Sequence, residues 1–173
     1  PVLSRAKSIK LVLLDVDGVL TDGSLFFTHD GHESKSFNTQ DGFGIRLLQE
    51  SGVQTGVITA RKSAAVSKRC ENLKMTFVYQ GESDKSKAYK EILAKSGFKP
   101  FEICYIGDDW LDLVLLKRVG FAVAPANGVD EVKALAHYTC RKSGGDGAVR
   151  EVCDLILRAK GLFETLLQTY MNR

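Results

Sequence analysis

Short apolar segments recur along the chain, and a stretch with helical periodicity follows each of them. The predicted strands are Leu11–Leu14, Thr55–Ile58, Thr76–Tyr79, Ile103–Ile106 and Phe121–Ala124. This alternation is typical of βαβ units, whose strands form a parallel sheet covered by helices on both faces. The sequence therefore predicts an α/β fold, with a Rossmann-like, doubly wound parallel sheet.

Capping residues predict where the helices between these strands begin and end. A helix that contains Phe43 closes at Gly52, another begins after Asp84 and stops at Gly97, and a further one spans Asp109 to Gly120. With 173 residues, of which 44% are hydrophobic, the chain can bury one core but not two ordinary ones. We expect a single domain over residues 1–173.

Composition and charge exclude several classes of partner. The net charge is only +3, and no basic run interleaved with aromatic residues predicts a nucleic-acid site. No apolar stretch reaches the roughly 18 residues of a membrane span, and no secretory signal is recognisable, so we expect a soluble, cytoplasmic protein without a membrane partner. The histidines lack the spacing of a zinc site. The cysteines are widely separated and are expected to be reduced: Cys70, Cys104, Cys140 and Cys153.

Residues 24–38, SLFFTHDGHESKSFN, interrupt the alternation with two strand-like halves around Asp30-Gly31. This dipeptide predicts an antiparallel hairpin with a tight turn in which both central residues have positive φ. The hairpin is either a decoration of the sheet edge or a contact with another subunit. The second interpretation rests on its large apolar side chains, which are too many for a solvated ribbon: Leu25, Phe26, Phe27 and Phe37.

The chain ends, over residues 144–173, with a glycine-rich loop and a helical tail. The loop is Gly144–Gly147, and an amphipathic helix and a last short helix follow it, separated by Gly161. The loop is either a flexible linker or, with Arg150 just beyond it, a site for an anion at the start of the helix.

Carboxylates and one hydroxyl follow the predicted strands at their carboxyl ends. Asp15 follows the first strand, Thr59 the second and Asp108-Asp109 the fourth, while Asp112 lies one turn further on. In a doubly wound sheet these ends meet at the ligand-binding edge. Converging carboxylates raise one another's pKa, and a hard cation relieves their repulsion; oxygen ligands alone favour Mg²⁺.

Spacing excludes two other kinds of site for the acidic segment. An EF-hand counted from Asp15 would need glycine at position 6 and glutamate at position 12, where the chain has Leu20 and Phe26. Nothing matches the phosphate-binding P-loop pattern either. Lys85, at the start of its helix, could supply positive charge to a phosphate instead.

Four segments occur in the order and spacing of the haloacid dehalogenase superfamily motifs, and the chain resembles these phosphotransferases: DVDGVLTDG, ITAR, SDKSK and GDDWLD. The resemblance implies that Asp15 is the nucleophile and that Asp17 is the general acid and base, with its carbonyl on Mg²⁺. It also implies that Thr59 binds the phosphoryl oxygens, that Lys85 neutralises them and that Asp108 ligates Mg²⁺. Two further carboxylates would orient water and lysine behind them: Asp109 and Asp112.

No cap domain fits between these motifs, because the hairpin and one helix occupy the stretch from Asp17 to Thr59. The chain resembles the capless 3-deoxy-D-manno-octulosonate 8-phosphate phosphatase family in segments that cover most of its length: SFNTQDGFGI, GVITARKS, YQGESDK, YIGDDWLDL, KRVGFAVAPANG and GGDGAVREV. That resemblance implies a magnesium-dependent phosphatase of lipopolysaccharide precursor synthesis. It also implies a homotetramer whose hairpins form a central barrel and whose neighbours complete each active site.

The same resemblance implies roles for residues that would touch the sugar acid. Thr39 and Arg69 would contact its carboxylate across a subunit boundary, and Arg61 would contact the sugar. The glycine-rich tail with Arg150 would close over a neighbour's site. Arg69 could also be an ordinary solvated helix residue.

Two alternatives remain at this stage. The related 2-keto-3-deoxynononate 9-phosphate phosphatases share the fold and motifs, but have an acidic residue at the position of Arg61 and a basic one at that of Asn72; this chain has neither. The other alternative is a non-catalytic assembly module of the kind fused to sialic-acid-activating enzymes. Such modules can lose motif carboxylates, whereas this chain keeps them all.

Overall fold

A parallel sheet of six strands forms the centre of the computed structural model, which describes residues 1–173. Two further short strands pair antiparallel with each other in a separate hairpin. The strands are β1 (Leu11–Leu14), β2 (Phe26–Phe27), β3 (Glu33–Ser34), β4 (Gln54–Ile58), β5 (Phe77–Tyr79), β6 (Ile103–Ile106), β7 (Phe121–Ala124) and β8 (Tyr138–Thr139). The order in the large sheet is β5-β4-β1-β6-β7-β8, so β1 lies between β4 and β6.

Helices cover both faces of the sheet, as the strand pattern predicted. They are α1 (Val2–Lys7), α2 (Thr39–Glu50), α3 (Ala64–Asn72), α4 (Lys85–Ser96), α5 (Leu113–Leu116), α6 (Asp130–Leu135), α7 (Ala148–Ala159) and α8 (Phe163–Met171). Short 3₁₀ turns at Pro100–Glu102 and Trp110–Asp112 precede β6 and α5. None of the helices has both the length and the apolar character that crossing a membrane requires.

Side chains of β1 alternate between two buried hydrophobic clusters, one on each face of the sheet. Val12 and Leu14 belong to the larger cluster, which includes residues of α1, α2 and α7, whereas Leu11 and Leu13 belong to the cluster beneath α4 and α5. A strand buried on both faces must be apolar at every position, and this explains the uninterrupted LVLL. All four cysteines are buried and free.

Three predicted elements need correction in their boundaries. β4 begins one residue earlier than predicted and β5 one residue later. The predicted helix from Asp109 to Gly120 is wrong in extent, because only the 3₁₀ turn and the four residues of α5 are helical. The helix ends early because the Gly120 amide donates to the Pro100 carbonyl at 2.8 Å instead of to a helical carbonyl. The chain then enters β7 directly.

The hairpin exists, but the predicted turn geometry is wrong. Only Gly31 has positive φ, at 86°. The Gly31 amide donates to the Thr28 carbonyl (2.9 Å) and the Thr28 amide to the His32 carbonyl (2.8 Å), so the loop contains three residues rather than two. Leu25, Phe26 and Phe27 are exposed in the single chain, whereas the fourth apolar residue predicted to reach a neighbour, Phe37, packs partly against the larger core cluster.

Candidate active site

The carboxyl ends of three adjacent strands supply the predicted catalytic residues. Leu14 lies opposite Val57 of β4 and Ile106 of β6, so the three strands end at the same level. Residues that follow β1, β4 and β6, together with the start of α4, line one open cavity. Its polar lining is Asp15, Asp17, Thr59, Arg61, Lys85, Asp108, Asp109 and Asp112. The structure thus brings together the eight predicted side chains that line this cavity.

Lys85 is the buried cation of this cavity. Its ammonium group lies 3.0 Å from Asp15 Oδ1 and 2.7 Å from Asp112 Oδ1. It also donates to the Tyr105 hydroxyl at 2.9 Å. Burial opposes its charge, but Asp15 and Asp112 outweigh burial, so the pKa of Lys85 is raised and it stays protonated. Asp84 caps α4 just before Lys85 and fixes the start of the helix.

Asp112 uses both of its oxygens inside the protein. Oδ1 accepts from Lys85, and Oδ2 accepts from the amides of Asp108 (2.8 Å) and Asp109 (3.1 Å). The Asp109 side chain accepts in turn from the Trp110 amide and caps the 3₁₀ turn. Through these contacts Asp112 holds both Lys85 and the loop after β6.

Three carboxylates converge closely enough to hold a cation. Asp15, Asp108 and Asp112 each present one oxygen within 4.8 Å of the others. Burial, the neighbouring Asp15 and then Asp112 raise the pKa of Asp108 to about 8. Burial and Asp112 raise the pKa of Asp15 to about 6, despite Lys85. Neighbouring carboxylates thus raise the pKa of Asp15 and of Asp108, and this electrostatic strain fits an oxygen-preferring divalent cation such as Mg²⁺.

The loop after β1 leaves room for Asp108 because it carries Gly18. A Cβ atom on Gly18 would lie 1.9 Å from Asp108 Oδ2, and its φ of 84° also favours glycine. Of the three carboxylates, Asp112 already uses both oxygens inside the protein. Asp15 and Asp108 are therefore the two carboxylates left as candidate ligands. The carboxylate of Asp17 lies outside this cluster, so only its backbone carbonyl remains as the predicted Mg²⁺ ligand.

Asp17 belongs instead to an ion-pair network with the hairpin. Its Oδ1 lies 2.6 Å from Lys35 Nζ, and its Oδ2 lies 3.8 Å from Arg61 Nε. Glu33 bridges the same two cations, at 2.7 Å from Lys35 and 2.9 Å from Arg61. Sequence reasoning missed Glu33 and Lys35. The only signal was that polar residues of the hairpin alternate with serine.

Thr39 and Arg69 lie together, but not in the carboxylate cavity of their own chain. They line a second cavity with Arg46, at the N-terminal part of α2 and the end of α3. Sequence reasoning missed Arg46. It could have been found from its spacing, because it is a basic residue two turns after Thr39 on α2. The Arg69 guanidinium donates to the Asn38 carbonyl at 3.4 Å and lies over the Phe37 ring. Its Nε is buried without a partner.

Arg150 and the glycine-rich loop contact their own chain. The Arg150 side chain pairs with Asp154 at 3.0 Å, and its amide donates to Asp41 at 2.9 Å. The loop packs on the loop after β1, where a Cβ on Gly144 would lie 1.9 Å from the Gly18 carbonyl oxygen. The linker interpretation is therefore wrong, because this close packing fixes the loop. Arg150 does not line the carboxylate cavity of its own chain.

Comparison with known proteins provides independent evidence on the family of this chain. Residues 74–152 match the haloacid dehalogenase-like hydrolase family. The chain is similar to 3-deoxy-D-manno-octulosonate 8-phosphate phosphatase KdsC from Escherichia coli K12, with 43% identity over 92% of this chain and 85% of the relative.

Solved structures of such phosphatases share the fold. The enzyme from Yersinia pestis has a TM-score of 0.93 and 44% identity, covering 94% of this chain and 88% of that one. The enzyme from Moraxella catarrhalis has a TM-score of 0.95 and 40% identity, covering 98% of this chain and 97% of that one. The Moraxella enzyme was crystallised in complex with a magnesium ion, a phosphate ion and a KDO molecule.

Proposed function

The chain belongs to the 3-deoxy-D-manno-octulosonate 8-phosphate phosphatase family of haloacid dehalogenase-like hydrolases, and we propose that it hydrolyses this phosphate ester with Mg²⁺ as cofactor. The observation that carries the proposal is the cavity in which Asp15, Lys85 and Asp108 meet beside Asp17 and Thr59. It combines a nucleophile, a buried cation and a cation site in the arrangement that phosphoryl transfer needs.

In the first half of the reaction, a carboxylate oxygen of Asp15 attacks phosphorus and the ester P–O bond breaks. Asp17 donates its proton to the departing sugar oxygen, so the products are aspartyl-phosphate and the free sugar acid. Lys85, 3.0 Å from Asp15, neutralises charge on the phosphoryl oxygens, and the Thr59 hydroxyl donates to one of them.

In the second half, Asp17 accepts a proton from water, and that water attacks phosphorus. The bond between phosphorus and Asp15 breaks, which releases inorganic phosphate and restores the carboxylate. Asp15, Asp108 and the Asp17 carbonyl would hold Mg²⁺, which neutralises the carboxylates and the phosphoryl oxygens when bound. Asp109 and Asp112 keep Asp108 and Lys85 in place through the loop after β6.

The finer parts of the proposal concern assembly and substrate contacts. The chain has no cap, and its cavity is open, so a second subunit would have to cover a bound sugar. The exposed Leu25, Phe26 and Phe27 support a homotetramer with shared active sites. Because Thr39 and Arg69 line a different cavity, they would reach the carboxylate of a sugar bound to a neighbouring subunit.

Arg61 lies beside Asp17 in the carboxylate cavity and would contact the sugar. Arg150, with the glycine-rich loop, is proposed to contribute at the rim of a neighbouring site, because its own cavity is separate. We place the reaction in lipopolysaccharide precursor synthesis in the cytoplasm, and the four buried, free cysteines are consistent with that reducing compartment. Within this scheme residues 1–173 act as one phosphatase domain.

The experiment that tests the function is a comparison of kcat/KM for the eight-carbon and nine-carbon 2-keto-3-deoxy sugar acid phosphates, with and without Mg²⁺. We expect Mg²⁺-dependent phosphate release with a clear preference for the octulosonate 8-phosphate. A preference for the nine-carbon ester would assign the chain to the related specificity. Absence of phosphate release from both esters would contradict the proposal.

Assembly is tested by light scattering on two variants matched for exposure. Phe27 and Leu3 are both 61% exposed in the single chain, but only Phe27 is on the hairpin. We expect a tetramer for the wild type and for Leu3→Ser, and a smaller, less active species for Phe27→Ser. A monomeric wild type with full activity would contradict the shared site.

A further inference from the structure

The Lys35 side chain is almost completely buried, although Lys35 lies just after β3 in an otherwise exposed hairpin. Its side chain is 1% exposed, whereas Phe26 and Phe27 on the opposite strand are exposed for more than half of their surface. Burying an ammonium group is unfavourable unless carboxylates compensate its charge. Here the compensating groups are Asp17 at 2.6 Å and Glu33 at 2.7 Å.

The network is closed and electrically balanced. Glu33 contacts Lys35 through one carboxylate oxygen and Arg61 through the other, at 2.9 Å. Arg61 returns to Asp17 at 3.8 Å. Two carboxylates and two cations therefore alternate around a ring, of which the hairpin contributes Glu33 and Lys35. The Asp17 carboxylate, held by two cations of this ring, therefore has little freedom to rotate.

We propose that Lys35 is a positioning residue that holds the Asp17 carboxyl where the sugar oxygen departs, and that Glu33 anchors Lys35. The inference rests on the proposed function, and it gives the hairpin a role in the active site of its own chain in addition to subunit contacts. Lys35 gains and loses no proton in the reaction. Its contribution is geometric, and a misplacement of a reacting group by about 1 Å can lower a rate about 10²-fold.

This role predicts that the effect depends on the leaving group. A sugar alkoxide is a poor leaving group and needs the proton that Asp17 donates, whereas p-nitrophenolate departs without one. kcat/KM reports on the steps up to departure of the alcohol. Loss of Lys35 should therefore reduce kcat/KM for the sugar phosphate far more than for p-nitrophenyl phosphate.

The experiment compares Lys35→Met, which keeps the length of the side chain, with Lys35→Arg. We expect Lys35→Met to lower kcat/KM for the sugar phosphate about 10²-fold, mainly through kcat, and for p-nitrophenyl phosphate by less than about fivefold. Lys35→Arg should restore part of the loss. The matched control is Lys95→Met, which breaks the exposed pair with Glu91 (2.9 Å) and should change neither value.

Thermal unfolding and light scattering establish that each variant is folded and assembled. An equal loss on both substrates, or wild-type activity in Lys35→Met, would overturn the positioning role. If Lys35→Met does not fold, the same comparison is made with Glu33→Gln: the loss of kcat/KM for the sugar phosphate against the loss for p-nitrophenyl phosphate. A wild-type protein that hydrolyses other alkyl phosphates but not the octulosonate ester would contradict the proposed function, while the leaving-group comparison would still decide the role of Lys35.

Discussion

Lys85 Nζ lies 2.7 Å from Asp112 Oδ1, and each side chain is only 1% exposed. Buried charges of this kind are stable only in pairs, because removal of one partner leaves the other desolvated and uncompensated. Asp112 also accepts from two backbone amides, so a single carboxylate fixes both Lys85 and the loop that carries Asp108. The stability of the protein and the geometry of its site are therefore coupled at this pair.

Replacement of Asp112 by asparagine should destabilise the protein strongly. The neutral amide leaves the Lys85 charge poorly compensated, and its NH₂ group faces the amides of Asp108 and Asp109 or the Lys85 ammonium. We expect the free energy of unfolding to fall by about 3–5 kcal/mol, measured by urea denaturation. The control Glu91→Gln breaks an exposed ion pair with Lys95 and should change the free energy of unfolding far less, because solvent screens exposed pairs. Equal losses in the two variants would contradict the coupling.

Replacement of Asp15 by asparagine should abolish turnover and leave the fold intact. The amide cannot attack phosphorus, and burial disfavours the Asp15 charge that the substitution removes. We expect no Mg²⁺-dependent phosphate release and an unfolding temperature no lower than that of the wild type. Acid quenching during turnover should trap one phosphoryl group on the wild-type protein, detectable by mass spectrometry. Normal turnover by the variant would disprove the assignment of the nucleophile.

Replacement of Gly18 by alanine should displace Asp108 and weaken Mg²⁺ binding. The new Cβ would lie 1.9 Å from Asp108 Oδ2, so the carboxylate must move. Gly31→Ala is the matched control, because Gly31 also has positive φ but no atom lies within 4 Å of its added Cβ. Isothermal titration should show much weaker Mg²⁺ binding for Gly18→Ala only. Mg²⁺ affinity in Gly18→Ala as high as in Gly31→Ala would contradict the displacement of Asp108.

The metal-free protein should lose stability relative to an Asp108→Asn variant as the pH rises. The pKa of Asp108 is raised from 3.8 to about 8, so near neutral pH the folded state binds a proton that the unfolded state has released. Stability then falls with increasing pH up to about pH 8. The unfolding temperatures of the wild type and of Asp108→Asn, which lacks the carboxyl group, are measured in EDTA between pH 6.5 and pH 8. The wild-type value should fall relative to that of the variant as the pH rises.

Mg²⁺ should reverse this trend, because it binds the ionised carboxylates and competes with protons. The increase in the wild-type unfolding temperature on adding Mg²⁺ should therefore be larger at pH 8 than at pH 6.5. An increase of the same size at both values, or one that persists in Asp108→Asn, would contradict the assignment of Asp108 as a ligand.

The strand ends were predictable from the sequence. Asp15, Thr59 and Asp108 each follow an apolar run directly, and parallel strands deliver such residues to one edge whatever the details of packing. Lys85 was predictable for a similar reason, since Asp84 caps a helix that begins at this edge. Local signals therefore predicted the fold class, the residues that meet at this edge and an oxygen-ligand site, because each depends on periodicity, capping or position at the end of a strand; the catalytic roles of these residues came from the family resemblance.

Only the tertiary structure decided how side chains distant in sequence meet. Lys35 reaches Asp17 because the hairpin folds back over the loop after β1, and Gly144 lies against Gly18 because α7 packs on α2. Thr39 and Arg69 share a cavity apart from Asp15 for the same kind of reason. These contacts depend on loop paths and on the packing of layers, which no local pattern encodes, and they determine which groups hold the carboxylates of the cavity in place.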